Sequence, residues 1–298
     1  MHHFSIFTNR SKDTDGKVTD GIVDYIASKG GDCIRLKDMP LQTDNEADDG
    51  TAEDNAELTS FCFNNSEIPA NCECLLVLGG DGTIIEASKS LGDVSIPIVG
   101  INLGTLGFLS VVEKNKIYEA IDRLFEDDYR IENRMLLSVS VFTEGTERNY
   151  TALNDVTITR SGLSRMICTD VYINDELVGS YSGDGCLVAT PTGSTGYNLS
   201  AGGPIIVPES ELMCFTPICP HTLYNRSIIV SGRDEIKIVI GERRKSQSVE
   251  SFATIDGQTA VRLNTGDYIR VIRAEGVTRL IRFSENSYFG VLHSKLKR

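Results

Sequence analysis

The sequence predicts an α/β fold joined to an all-β one: an N-terminal wound α/β domain over residues 1–133, then a C-terminal β-sandwich-like domain over 134–279. Three observations carry that expectation. Apolar β runs alternate with amphipathic helical stretches through the first part, the pattern of a parallel sheet with helices on its faces. From Arg134 onward the runs are short, rich in β-branched residues and separated by turn signals. One apolar run in the first part empties into three glycines around a carboxylate, Gly79-Gly80-Asp81-Gly82-Thr83. Ligands of wound sheets bind there, beyond the C-terminal ends of strands.

The elements follow in order. Residues 4–8 read as the first strand. Residues 18–29 bring Val18, Ile22, Val23, Tyr25 and Ile26 onto one helical face, and Gly30-Gly31 closes the helix. Residues 33–36 make a short second strand. The acidic stretch 43–57 contains no Lys or Arg and reads as a solvated loop. Residues 74–78 are the third strand, 84–91 a helix, and 96–101 a fourth strand that runs into the tight segment 102–109; residues 117–125 add a helix. In the second part, 136–142, 152–159, 169–173, 185–189, 227–230, 235–240, 251–255 and 268–272 read as antiparallel strands. The tail, 280–296, is a candidate to return to the first domain.

Composition is that of a globular protein, with 40% hydrophobic and 24% charged residues. The net charge of −13 argues against nucleic-acid backbones and anionic membranes as main partners, because both repel an acidic surface. No apolar run approaches the ~20 residues that span a bilayer. The N-terminus lacks a signal peptide's apolar core, so a cytoplasmic protein is expected. The eight cysteines include no C-x-x-C pair and read as buried thiols; only Cys72 with Cys74 and Cys214 with Cys219 are spaced for zinc or redox work.

Gly79, Gly80, Gly82 and Thr83 read as a phosphate loop, since glycines let backbone N–H groups approach a phosphate while Asp81 stands beside the reacting oxygens. The spacing matches neither G-x-G-x-x-G nor G-x-x-x-x-G-K-[ST], which disfavours a dinucleotide fingerprint and a Walker loop. A second glycine-rich stretch, 189–204, offers hydroxyls, backbone donors and the ring of Tyr197, and looks like a nucleotide cradle. Asn154-Asp155 sets an amide beside a carboxylate, suited to sugar hydroxyls or an adenine edge, or to a turn. Asp184 sits in a second glycine bracket, and Asp256-Gly257-Gln258 could equally be a hairpin turn. His221 reads as a packed loop histidine.

Together these segments resemble the NAD kinase (ATP-NAD kinase) family in its bacterial form. G-G-D-G-T, the Asn-acidic pair, Arg165-Met166-Ile167, G-D-G, the T-P-T-G-S-T run, the segment 217–223 and D-G-Q occur in that family's order. The resemblance implies an N-terminal α/β domain and a C-terminal β domain with the active site between them. It implies transfer of the terminal phosphoryl group of ATP, with a divalent cation such as Mg²⁺, to the 2′-hydroxyl of the adenosine ribose of NAD. Asp81 then matches the proton acceptor, with Gly82 beside it at the ribose; Leu106, Gly107 and Phe108 match a segment that walls the pocket. Asn154, Asp155, Arg165, Ser182 and Asp184 match dinucleotide contacts. Thr195, Gly196, Tyr197, Asn198, Leu199 and Ser200 match the stretch lining the NAD site, and Gln258 matches the last position. No residue is assigned to the metal, and a homodimer or tetramer is implied.

Three positions depart from the family pattern. Asp155 stands where Glu is usual, Gly196 where Ala is usual, and Ser182 where some relatives carry Arg. These bear on substrate affinity and on the choice between oxidised and reduced dinucleotide. Other readings are a diacylglycerol- or sphingosine-type lipid kinase, which shares the G-G-D-G-T loop, a phosphofructokinase-like sugar kinase, and a noncatalytic dinucleotide-binding regulator. The acidic surface weighs against the first, the β-rich second half against the next, and Asp81 against the last.

Overall fold

The structure, a computed structural model, describes residues 1–40, 61–104, 107–161, 166–221, 225–242, 251–284 and 287–297. Among the described residues the chain divides into two compact units, the first built from 1–40, 61–133 and 278–297, the second from 134–277. The acidic stretch 43–57 lies outside the described residues.

In the first unit a parallel sheet runs in the order Ile98–Asn102, Cys74–Leu78, His3–Thr8, Asp32–Arg35. Leu280 pairs in parallel with Ile98 on the outer side of this order, so residues from near the end of the chain complete the first sheet. The two central strands, Cys74–Leu78 and Ile98–Asn102, are buried along their whole length. That is why they read as continuous apolar runs rather than as alternating ones. The helices Lys17–Ser28 and Ile117–Phe125 pack Ile22, Ile26, Ile117, Ile121 and Leu124 onto Phe4, Ile6, Leu76 and Val99. The helix expected at 84–91 begins three residues earlier, at Asp81, with Gly80 as its extended N-cap. Glycines suggested a turn there, but an acidic residue in a first helical turn is favoured by the dipole, and this outweighs the low propensity of Gly82.

The second unit is two antiparallel sheets. One runs Ile228–Ser231, Leu212–Ile218, Gly185–Ala189, Asp155–Arg160, Ser251–Ile255, Thr259–Leu263. The other includes Glu176–Gly183, Ile167–Ile173, Ile236–Gly241 and the first part of Tyr268–Arg282, and a hairpin joins Arg130–Thr143 to Thr146–Ala152. Alternate residues such as Ile236, Ile238 and Ile240 point into a common core with Val156, Ile158, Val188, Phe215 and Ile255. This is sandwich packing. The stretch expected as one strand at 152–159 is two, separated at Leu153-Asn154.

Four strands of the second unit had no place in the sequence reading: Thr146–Ala152, Glu176–Gly183, Leu212–Ile218 and Thr259–Leu263. Pro217 hid the third of them. It is tolerated because pairing with Ile228–Ser231 ends at Phe215, which leaves Pro217 on a local edge where its missing N–H costs no ladder bond.

Candidate active site

The predicted site residues form one group in each unit. In the first, three strand ends are tied together: Asn9 N–H donates to the Leu78 carbonyl and Gly79 N–H to the Ile101 carbonyl, both at 2.9 Å. Gly79 needs its missing side chain, because a Cβ there would lie 2.2 Å from the Thr83 Oγ1 one helical turn on. Nothing lies within 4 Å of where a Cβ on Gly82 would be, so that face of the loop is open.

The Asp81 carboxylate is held by the segment 107–110. Its Oδ2 accepts the Phe108 N–H at 2.7 Å, and its Oδ1 accepts the N–H groups of Leu109 and Ser110, each at 3.1 Å, and the Ser110 hydroxyl at 3.2 Å. The fit requires Gly107, whose Cβ would come within 1.8 Å of Oδ1. Beneath that segment Arg282 donates to the carbonyls of Leu109 at 3.0 Å and Phe108 at 3.2 Å, and its Nε to Glu132 at 2.9 Å. Arg282 and Glu132 are both buried. The half-buried ring of Phe108 lies 6.2 Å from that of Tyr288 and 5.4 Å from the Lys295 ammonium, both on the helix Tyr288–Leu296. Leu106 lies outside the described residues.

In the second unit Asp256 is the organiser, a role that neither the hairpin-turn reading nor its place in the D-G-Q segment indicated. Asp256, Gly257 and Gln258 make the three-residue turn between Ser251–Ile255 and Thr259–Leu263, with φ of +50° and +69° at its first two positions. The Asp256 carboxylate then accepts the N–H groups of Leu153 at 2.8 Å, Asn154 at 2.7 Å and Asp155 at 3.0 Å. The Asn154 carbonyl accepts the Thr190 N–H at 2.8 Å and would meet a Cβ on Gly193 at 2.1 Å, which interlocks Asn154-Asp155 with the 189–204 stretch. Asp256→Ala is expected to cost about 2–4 kcal/mol in denaturant unfolding, from three donors losing a charged acceptor and from alanine at positive φ.

Asp155 is buried, and its Oδ1 accepts the Thr157 hydroxyl at 3.1 Å. Burial first, and the Asp256 charge second, push its carboxyl from the ordinary 3.8 up to about 7. In the unfolded chain the group ionises near pH 4, so between pH 4 and 7 the folded state holds the extra proton and stability falls as pH rises, levelling above 7. Asp155→Asn is therefore expected to raise the stability of the ligand-free protein little at pH 4.5 and by about 2–4 kcal/mol at pH 8. Thermal melting at the two pH values measures this.

The other predicted contacts fall into two kinds. Tyr197 and Ser200 are exposed, and Thr195, Gly196 and Leu199 half-buried, along the short turn and helix after Gly193. Asn198 is fully buried instead: its amide donates to the carbonyls of Ser194 and Pro204 and accepts the Thr216 hydroxyl at 2.7 Å. It braces the stretch from below. Asp184 pairs with Arg160 at 2.8 Å, a cation that its plain strand position concealed. Ser182 is half-buried and its carbonyl accepts the His221 N–H at 2.7 Å. The Gln258 Oε1 is buried with no hydrogen-bond partner among the described residues. Buried Arg134 reaches the Thr192 hydroxyl at 3.2 Å, another contact without a sequence signal. Arg165 and residues 222–223 lie outside the described residues.

All eight cysteines are free thiols. Burial pushes Cys33 and Cys186 up to about 12, away from thiolate chemistry. Among the described residues no three His, Cys, Asp or Glu come together as a metal cage, and no helix is long and apolar enough to cross a membrane.

Comparison with known proteins bears on the same segments. Residues 37–129 match the model of the ATP-NAD kinase N-terminal domain and 153–283 that of the ATP-NAD kinase C-terminal domain. An NAD kinase of Lachnoclostridium phytofermentans is 41% identical over 298 residues, covering 99% of both chains. One from Lachnospira eligens is 39% identical over 307 residues, covering 99% of this chain and all of its own. Among solved structures, yeast NADH kinase complexed with NADH aligns with a TM-score of 0.82 at 23% identity, over 100% of this chain and 88% of its own. An NAD kinase from Archaeoglobus fulgidus in complex with ATP aligns at 0.74 and 22%, over 99% and 98%. These two share the fold. Domain models on both sides of residue 133 and full-length relatives near 40% identity leave one assignment: the chain belongs to the ATP-NAD kinase family.

Proposed function

We propose that the chain transfers the terminal phosphoryl group of ATP to the 2′-hydroxyl of the adenosine ribose of NAD, giving NADP and ADP, with Asp81 as proton acceptor. The observation that carries this reading is the placing of Asp81 in the first turn of a helix at the C-terminal end of a parallel sheet, next to Gly82, whose open face leaves room for phosphate. Phosphoryl transfer asks the protein mainly for positioning and charge stabilisation, with the hydroxyl proton leaving late to a weak base. Oδ1 of Asp81 already accepts three hydrogen bonds and Oδ2 only one, so Oδ2 is the oxygen with capacity to take that proton.

Gly79, Gly80, Gly82 and Thr83 hold phosphate in this reading, and Phe108 walls the site. Asn154, Asp155, Ser182, Asp184, Thr195, Gly196, Tyr197, Leu199 and Ser200 contact the dinucleotide, with Asn198 bracing them from below. The exposed ring of Tyr197 suits packing on a base or ribose, and the unpartnered Gln258 Oε1 suits a hydroxyl or amine of the ligand. Divalent metal enters as part of the ATP substrate, bound to its phosphate oxygens, where it supplies neutralising charge. A cytoplasmic location, which the free thiols suit, and a homo-oligomer, to be tested by light scattering, complete the proposal.

Incubating the protein with ATP, Mg²⁺ and NAD, then detecting NADP with an NADP-specific dehydrogenase, tests the reaction. NADP in proportion to enzyme is expected. No NADP above the blank overturns the reading.

A further inference from the structure

We propose that Lys12 is a ligand of the donor triphosphate, setting its ammonium against the phosphate oxygens above the Gly79-Gly80 loop. This rests on the reading of the site as a phosphoryl-transfer centre and adds a cation to it that no motif contains. The Lys12 Nζ lies 2.9 Å from where a Cβ on Gly80 would be, so the ammonium stands on the residue that caps the Asp81–Leu91 helix.

The approach is built by the backbone. Asn9 N–H is bonded to the Leu78 carbonyl, and the Asn9 side-chain amide donates to the Thr83 hydroxyl at 3.3 Å, which ties the turn after the first strand to both ends of the loop. The Asn9 carbonyl accepts the Lys12 N–H at 2.9 Å, and Asn9 Oδ1 accepts the Ser11 N–H at 3.0 Å and the Ser11 hydroxyl at 2.6 Å. On the far side of Lys12, Asp13 turns away to accept the Thr19 N–H at 2.9 Å and the Thr19 hydroxyl at 2.6 Å. The turn is fixed at both ends with Lys12 projecting between them.

Charge singles this lysine out. The chain carries 42 acidic and 29 basic residues, so carboxylates are plentiful, and the nearby bases have found them. Arg10 pairs with Asp38 at 2.5 Å and Lys17 with Asp15 at 2.7 Å. Lys12 has no carboxylate partner among the described residues. An exposed ammonium without an ion pair, over the backbone at the start of a helix, complements an anion of high charge density. The terminal phosphates of a nucleoside triphosphate carry that charge, whereas the hydroxyl acceptor carries none at its reacting end.

Steady-state kinetics in the NADP-forming assay test the assignment. Lys12→Ala is expected to raise KM for ATP about tenfold or more and to lower kcat, with KM for NAD within about twofold of wild type. Lys12→Arg should restore most of the loss, and inorganic tripolyphosphate, as an inhibitor competitive with ATP, should weaken in parallel with ATP. Lys17→Ala, outside the site, should change neither KM. Lys12 is exposed, so an unchanged melting temperature checks that the variant is folded. Wild-type kinetics toward ATP in Lys12→Ala, or an equal loss in Lys17→Ala, overturns the role of Lys12 while the reaction stands. A wild-type chain that makes no NADP overturns the underlying reading itself.

Discussion

Asp81→Asn should lower kcat by about 10²–10⁴-fold while NAD binding survives, the range for removing a positioned general base. The amide keeps the shape of the carboxylate but cannot take the proton. It also replaces one acceptor oxygen by a donor, which leaves some of the four donors of Phe108, Leu109 and Ser110 facing an NH₂ group. A loss of about 1–3 kcal/mol in stability should therefore accompany the kinetic loss. Calorimetric titration with NAD and single-turnover rates separate the two effects. A variant that turns over within threefold of wild type would remove Asp81 from the role of base.

Arg282→Ala should cost about 3–5 kcal/mol in denaturant unfolding, the range for breaking a buried ion pair. Glu132 loses its guanidinium in a place that excludes water, and the carbonyls of Phe108 and Leu109 lose theirs at the same time. The same two residues present their N–H groups to Asp81, so kcat should fall beyond what the lowered stability explains. Arg282→Lys should rescue little of either, because one ammonium cannot reach a carboxylate and two carbonyls in the planar fork that Arg offers. A free energy of unfolding for Arg282→Ala within 1 kcal/mol of wild type would contradict this account.

Where local pattern decides structure, the sequence was informative. The buried strands at 74–78 and 98–102 could be seen from their unbroken apolar runs, and the glycines around Asp81 from their spacing. What escaped depended on partners far along the chain. Asp256 lies about a hundred residues from the N–H groups it accepts, so its turn gave no sign of that work. Arg282 sits in a strand-like run where nothing marks it as the support of a loop. Asn198, grouped with the ligand contacts, is consumed by packing, because a polar residue within a glycine-rich run looks the same whether it faces inward or outward. Lys12 follows the first strand in a stretch without any motif, and only the backbone of Gly80 makes its place meaningful.

The Glu132–Arg282 pair spans 150 residues of sequence, and this bears on the order in which the molecule is made. Ribosomes add roughly 5–20 residues per second, so Glu132 leaves the tunnel about 8–30 s before Arg282 does. During that interval the nascent first unit holds a carboxylate awaiting its counter-ion and a sheet lacking Leu280. The described part of the second unit lies in one stretch, 134–277, and can assemble as it emerges. The unit begun first thus waits on residues made after the second, and the loop that holds Asp81 gains its Arg282 support only once 134–277 has been synthesised.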